Sequence, residues 1–198
     1  MSLSLIAAVG ENRELGKEGG LCFRIPGDLR FFKKTTVGHP VFMGLTTWYS
    51  LPKKLPGREH YVAVFEETDL PEDIHEVLDI HAFGREWAEK EEELFVIGGA
   101  SIYRQMLPYC TKLYLTEVHA GDPEADVFFP EFDRDSYRKT WLASGEDGGI
   151  TYDHVLYERI REDMEEGAPR DECAEVSVLC DSVSGRAAFE EKEEEREE

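Results

Sequence analysis

Leu94-Phe95-Val96-Ile97-Gly98-Gly99-Ala100-Ser101-Ile102-Tyr103 is the stretch that decides the fold. Four consecutive apolar residues suit a strand buried on both faces. Two glycines end it, and the helix that follows reaches about Met106, with Pro108 closing it. The same order of strand, glycine and helix recurs upstream. His39-Pro40-Val41-Phe42-Met43-Gly44 leads to Thr46, placed to N-cap a short helix from Thr47 to Leu51.

Further outward, Ser4 to Val9, His60 to Phe65 and Leu113 to Val118 read as strands, with a shorter one around Val77 to Ile80. Pro26-Gly27-Asp28 opens a helix that runs to about Val37, with Gly38 at its C′ position. Phe83 to Lys90 reads as a surface helix. Gly10 to Arg24, which holds Gly16, Gly19 and Gly20, reads as a flexible loop. Tyr137 to Ala143 and Tyr152 to Ile160 form a closing antiparallel pair. Buried strands alternating with helices indicate one α/β domain: a central, mostly parallel twisted sheet, an antiparallel C-terminal edge strand and helices on both faces.

The chain has 198 residues, 41% hydrophobic, which is one ordinary domain and a short extension. The net charge of −21 argues against nucleic acid and anionic membranes as partners. Residues 161–198 hold 5 basic and 15 acidic side chains, so nearly half of the excess lies in the last fifth. We expect a folded domain over 1–161 and an acidic, largely disordered tail over 162–198. No run approaches a transmembrane span, and the start lacks a signal-peptide pattern, so the expected location is the cytoplasm. Cys22, Cys110, Cys173 and Cys180 contain no CxxC pair, and no metal site is expected.

Three features can carry chemistry. Asp28 stands in the first turn of its helix, on a face shared with Phe32 and Thr35. An acid at that position ordinarily serves the helix terminus, but in an apolar cleft it can accept two N–H bonds from a heterocycle. The glycines at Gly44 and Gly98-Gly99 can bring backbone and helix N-termini close to a phosphorylated ligand. Lys53, Lys54 and Arg58 around Pro56-Gly57 make a basic turn able to hold a carboxylate, or simply a solvated one.

As an ordered set these features resemble dihydrofolate reductase, from Leu3 to about Ile160. The resemblance rests on Ser4-Leu5-Ile6-Ala7-Ala8, Leu15-Gly16, Ile25-Pro26-Gly27-Asp28-Leu29, Pro40-Val41-Phe42-Met43-Gly44, Thr46-Thr47-Trp48, Leu55-Pro56-Gly57-Arg58, Val96-Ile97-Gly98-Gly99, Leu113-Tyr114-Leu115-Thr116 and Asp126-Val127-Phe128-Phe129-Pro130. It implies hydride transfer from NADPH, with NADH possible, to 7,8-dihydrofolate. It also implies sensitivity to antifolates and a monomeric protein.

By resemblance, Asp28 grips the pterin, Thr116 supports it, and Phe23 stands where the family usually has a tryptophan. Ile6, Ala7, Leu29, Phe32, Ser50, Leu51 and Leu55 surround the substrate, and Arg58 receives its carboxylate. Ala8, Leu15, Gly16, Gly44, Thr46, Thr47, Ile97, Gly98, Gly99, Ser101, Ile102 and Tyr103 serve the cofactor. The loop from Gly10 to Arg24 covers the site, with Asp126 as its partner. Leu45 and Glu66 depart from the family, which usually holds the cofactor's 2′-phosphate there with a basic residue and a serine. Two other readings of these residues are a riboflavin-pathway pyrimidine reductase and a non-catalytic folate- or nucleotide-binding protein.

Overall fold

The computed structural model describes residues 3–66 and 68–160. The acidic tail expected from residue 162 lies outside the described residues.

The main sheet has eight strands. Its centre is β1 (Leu3–Val9), flanked by β7 (Leu94–Gly98) and β8 (Lys112–Val118), both parallel to it. Beyond β7 lie β4 (Val41–Gly44), β5 (His60–Ala63) and β6 (Ile74–Val77), all parallel. Beyond β8 lies β11 (Ile150–Arg159), antiparallel, and then β10 (Tyr137–Asp147) at the edge. The inner strands are apolar without alternation, as strands covered on both faces must be: Leu3, Leu5, Val41, Phe42, Met43, Leu94 and Val96 are fully buried.

One face is covered by α3 (Ile80–Glu89) and α4 (Ala100–Met106), which drive Phe83, Trp87, Ile102 and Met106 into a core with Leu5, Phe42 and Val96. The other is covered by α1 (Pro26–Thr36) and α2 (Leu45–Ser50), whose Phe31, Phe32 and Trp48 pack on Ile6, Val41, Met43 and Phe95. The expected architecture is therefore present.

The differences are local. α2 starts at Leu45 with Gly44 as N-cap and no side-chain cap, so Thr46 lies inside the helix instead of capping it. α3 begins three residues before Phe83 because the Asp79 side chain accepts from the Ala82 amide at 2.8 Å. The strand expected at Val77 to Ile80 lies earlier, at β6. The closing hairpin is longer than the apolar pattern suggested. Gly148 (φ +60°) and Gly149 (φ +82°) both take left-handed conformations, and this tight turn carries the pairing to Asp147 and Ile150.

The stretch read as a flexible loop contains two short strands of a small antiparallel sheet. β2 (Glu14–Lys17) pairs with β3 (Gly20–Leu21) on one side and with β9 (Val127–Phe128) on the other. Its corner is tied by the buried Glu14 carboxylate, which accepts from the Asn12 amide at 2.7 Å and the Asn12 side chain at 3.0 Å.

Candidate active site

β1, β4, β7 and β8 run in one direction, so their C-terminal ends lie on one side of the sheet, where ligands of open α/β folds bind. Two kinds of surface meet there.

The first is acidic. Ile25 flanks α1 as its N-cap and offers no side-chain acceptor. The helix terminus is served from another element: Asp147 Oδ2 accepts from the Gly27 amide at 2.7 Å and from the Tyr152 hydroxyl at 2.9 Å. Asp28 is thereby released from the capping role its position suggests. Its Oδ1 accepts from Thr116 Oγ1 at 2.6 Å. Burial pushes the Asp28 carboxyl above its ordinary value, and the Thr116 hydroxyl opposes that shift. The threonine is thus Thr116 on β8, not Thr35 on the helix's own face.

At the far end of α1, Thr36 is fully buried and its hydroxyl accepts from Arg58 Nη1 at 2.9 Å. The Arg58 guanidinium also lies 5.7 Å from the Phe32 ring centroid. Burial lowers its pKa, though an arginine stays charged. Lys54 pairs with Asp73 instead. Phe32, Leu51 and Leu55 line the same apolar wall as Ile6. Two expected substrate contacts are more outlying: Leu29 is 54% exposed, and the Ser50 hydroxyl donates to its own helix, at Thr47 O.

The second surface is backbone. A Cβ on Gly44 would meet Ile102 Cγ1 at 3.0 Å, and one on Gly99 would meet Thr47 Oγ1 at 3.4 Å. Gly98 has φ +130°, the Gly98–Gly99 peptide is cis, and the Tyr103 hydroxyl lies within 3.4 Å of where its Cβ would be. Tyr103 donates to the Ile6 carbonyl at 2.8 Å. Gly44, Thr47, Gly98, Gly99, Ile102 and Tyr103 therefore form one cradle that side chains would fill, which suits a phosphate-bearing cofactor. Ile97 is partly buried against the core under α1 and α2; Thr46 and Ser101 are exposed on the first turns of α2 and α4.

Leu15 packs on the larger core, and Gly16 sits in the small sheet with Gly20 O 2.9 Å from its would-be Cβ. The loop partner is in place: Asp126 Oδ2 accepts from the Glu18 amide at 3.0 Å, and the Asp126 amide donates to Gly16 O at 3.1 Å. Phe23 packs beside Ala8, Ile25, Val118 and Tyr152.

His154 escaped the sequence reading. On β11 it pairs in register with Thr116, and its Nδ1 lies 2.8 Å from Thr116 Oγ1. An apolar–polar alternation marks it as inward-facing, but nothing local announces its partner.

A polar acid and a glycine cradle, side by side at one end of a parallel sheet, are what an α/β oxidoreductase needs to hold two ligands in contact. The chain belongs to the dihydrofolate reductase family, whose model matches residues 2–161. It is 39% identical to the dihydrofolate reductase of Neisseria gonorrhoeae, over 79% of this chain and 98% of the relative. It is 35% identical to that of Bacillus subtilis, over 79% and 94%, and 36% identical to the dihydrofolate reductase HdrB of Haloferax volcanii, over 78% and 82%.

Proposed function

We propose that this chain reduces 7,8-dihydrofolate to tetrahydrofolate with NADPH. The carrying observation is the spacing along α1. Asp28 with Thr116 stands at its start and Arg58 with Thr36 at its end. Eight residues of helix separate Asp28 from Thr36, about 12 Å at 1.5 Å per residue. A molecule laid along that helix offers an N–H-rich ring to a carboxylate and a carboxylate to a guanidinium. A folate has that polarity, and a small pyrimidine does not reach both ends.

Reduced nicotinamide, when bound, supplies the hydride. The protein's own groups do the rest. Gly44, Gly98 and Gly99 admit a ligand close to the backbone, with Thr47 beside them. Tyr103 fixes the Ile6 carbonyl between the two surfaces. Asp28 orients the pterin, and its charge favours the protonated substrate, with water delivering the proton. Phe23 and Ala8 add apolar surface beside Ile25, Val118 and Tyr152.

NADPH is the assigned cofactor, with a narrowed preference over NADH. Leu45 brings no charge and Glu66 is acidic. His81 Nδ1 is 3.2 Å from the Tyr109 hydroxyl, while His81 and Arg85 help hold the Asp79 carboxyl below its usual value, after the Ala82 amide. We assign residues 1–161 as the catalytic domain, monomeric and cytoplasmic, open to antifolates and without nucleic acid or membrane as a partner. Among the described residues no helix is long and apolar enough to cross a membrane.

The test is an assay of the full chain with dihydrofolate and each reduced cofactor, product identified, against a riboflavin-pathway pyrimidine. Tetrahydrofolate formed in step with cofactor oxidation is expected. Turnover of the pyrimidine alone, or binding of folate without turnover, would overturn the reading.

A further inference from the structure

Thr116 Oγ1 lies between two polar atoms, Asp28 Oδ1 at 2.6 Å and His154 Nδ1 at 2.8 Å. A hydroxyl has one proton to give. With Asp28 ionised that proton goes to the carboxylate, so the contact with His154 is Nδ1–H donating to Oγ1. This settles the tautomer of a neutral ring as well as the direction of the chain: His154 Nδ1–H to Thr116 Oγ1–H to Asp28 Oδ1.

The ring is tightly held. His154 is 7% exposed. It stacks on Phe31 of α1 with centroids 4.0 Å apart and planes at 15°, and Tyr152 lies at 5.2 Å. Phe31 and Asp28 belong to one helix, so His154 grips that helix by stacking while reaching its acid through Thr116. We propose that His154 is a positioning residue of this site, orienting the Thr116 hydroxyl toward Asp28 and so setting the readiness of that carboxyl to ionise. Asp28 is the substrate-gripping acid only by the reading above, and the inference rests on that reading for its catalytic meaning.

The physical basis is polarisation in sequence. A donor to Oγ1 makes the hydroxyl a stronger donor to the carboxylate, by roughly 10–30% per bond in a low-dielectric site. The gain is larger for a charged acceptor than for a neutral one, so His154 favours the ionised form of Asp28 and offsets part of the cost of its burial. The other titratable groups around His154 are Asp153 and Tyr152 on its own strand and Asp147, which Tyr152 holds; Arg30 acts on that pair. Burial keeps the imidazole below its ordinary pKa against the pull of Asp153. His154 thus acts as a neutral donor at physiological pH.

Two substitutions separate the donor from the ring. His154→Phe keeps an aromatic ring against Phe31 and removes the N–H. His154→Asn loses the ring but places an amide N–H near the position of Nδ1. The measurement is the titration of the Asp28 carboxyl by carbon NMR in the ligand-free full chain, assigned by its absence in Asp28→Asn, together with melting temperature.

In His154→Phe the Asp28 midpoint should rise by roughly 0.3–0.7 pH unit, a neutral hydrogen bond transmitted through one hydroxyl. In His154→Asn it should stay within roughly 0.2 unit of wild type, while the melting temperature falls. An unmoved midpoint in His154→Phe, or an equal shift in both variants, would overturn the proposal and reduce His154 to a packing residue. These outcomes are read without substrate, so an inactive wild type would count against the functional reading alone.

Discussion

At the acid side of the cleft the polar groups are side chains drawn from separate elements: Asp28 from α1, Thr116 from β8, His154 from β11 and Arg58 from the turn before β5. At the glycine side they are mostly backbone, exposed where Gly44 and Gly98–Gly99 leave room. The two sides differ in what a mutation can do. On the acid side an isosteric change removes charge and leaves the shape. On the glycine side even an uncharged side chain changes the shape while leaving the charge. Under the proposed function, substitutions on the acid side should therefore separate chemistry from binding, and charges placed around the cradle should set cofactor choice.

The largest effect should follow removal of the Asp28 charge. Asp28→Asn should lower turnover at neutral pH by about 10² or more, measured as kcat with saturating dihydrofolate. Arg58→Leu, at the other end of α1, should act differently. Its contact is equally present before and during reaction, so KM for dihydrofolate should rise by roughly 30-fold, about 2 kcal/mol for a charge-assisted bond, with kcat little changed. A fall confined to kcat would show that Arg58 does not hold the carboxylate.

On the cofactor side, Leu45→Arg combined with Glu66→Arg should raise the ratio of kcat/KM for NADPH to that for NADH by about tenfold, some 1.4 kcal/mol after screening at an exposed site. An unchanged ratio would mean that the phosphate lies elsewhere, beside His81 or Arg85.

The smallest effect concerns stability. Burial raises the Asp28 carboxyl in the fold, so the folded state binds this proton more tightly than the unfolded chain does. That makes stability fall as pH rises from the unfolded value of about 3.8–3.9 through the folded one. Asp28→Asn should therefore melt higher than wild type at neutral pH, an effect smaller than those above. Scanning calorimetry should find the difference closing below the unfolded midpoint.

The glycine side was more legible in the sequence than the acid side. Apolar strands ending in glycine at Gly44 and Gly98 announce themselves within ten residues, because burial on both faces and close backbone approach are local demands. The acid side depends on pairings that no window contains. Asp28 looked like a helix-terminus acid, and only the hairpin end places Asp147 to take that role. Thr116 and His154 are neighbours through strand register, 38 positions apart. The short strands inside the loop from Gly10 to Arg24 are illegible for the same reason, although the resemblance supplies Asp126 as the loop's partner. Its strands are two to four residues long and gain their order from β9, more than a hundred positions away. The glycine content marks the turns between these strands but not the pairing itself.

In the proposed function the Asp28 carboxylate is what makes this cleft a reductase site. The most direct test is single-turnover hydride transfer from NADPH to dihydrofolate, followed across pH in wild type and Asp28→Asn. A deficit of about 10² or more is expected near neutrality, narrowing on acidification, because solution then supplies the protonation the carboxylate favours. Equal rates in the two proteins at neutral pH would contradict it.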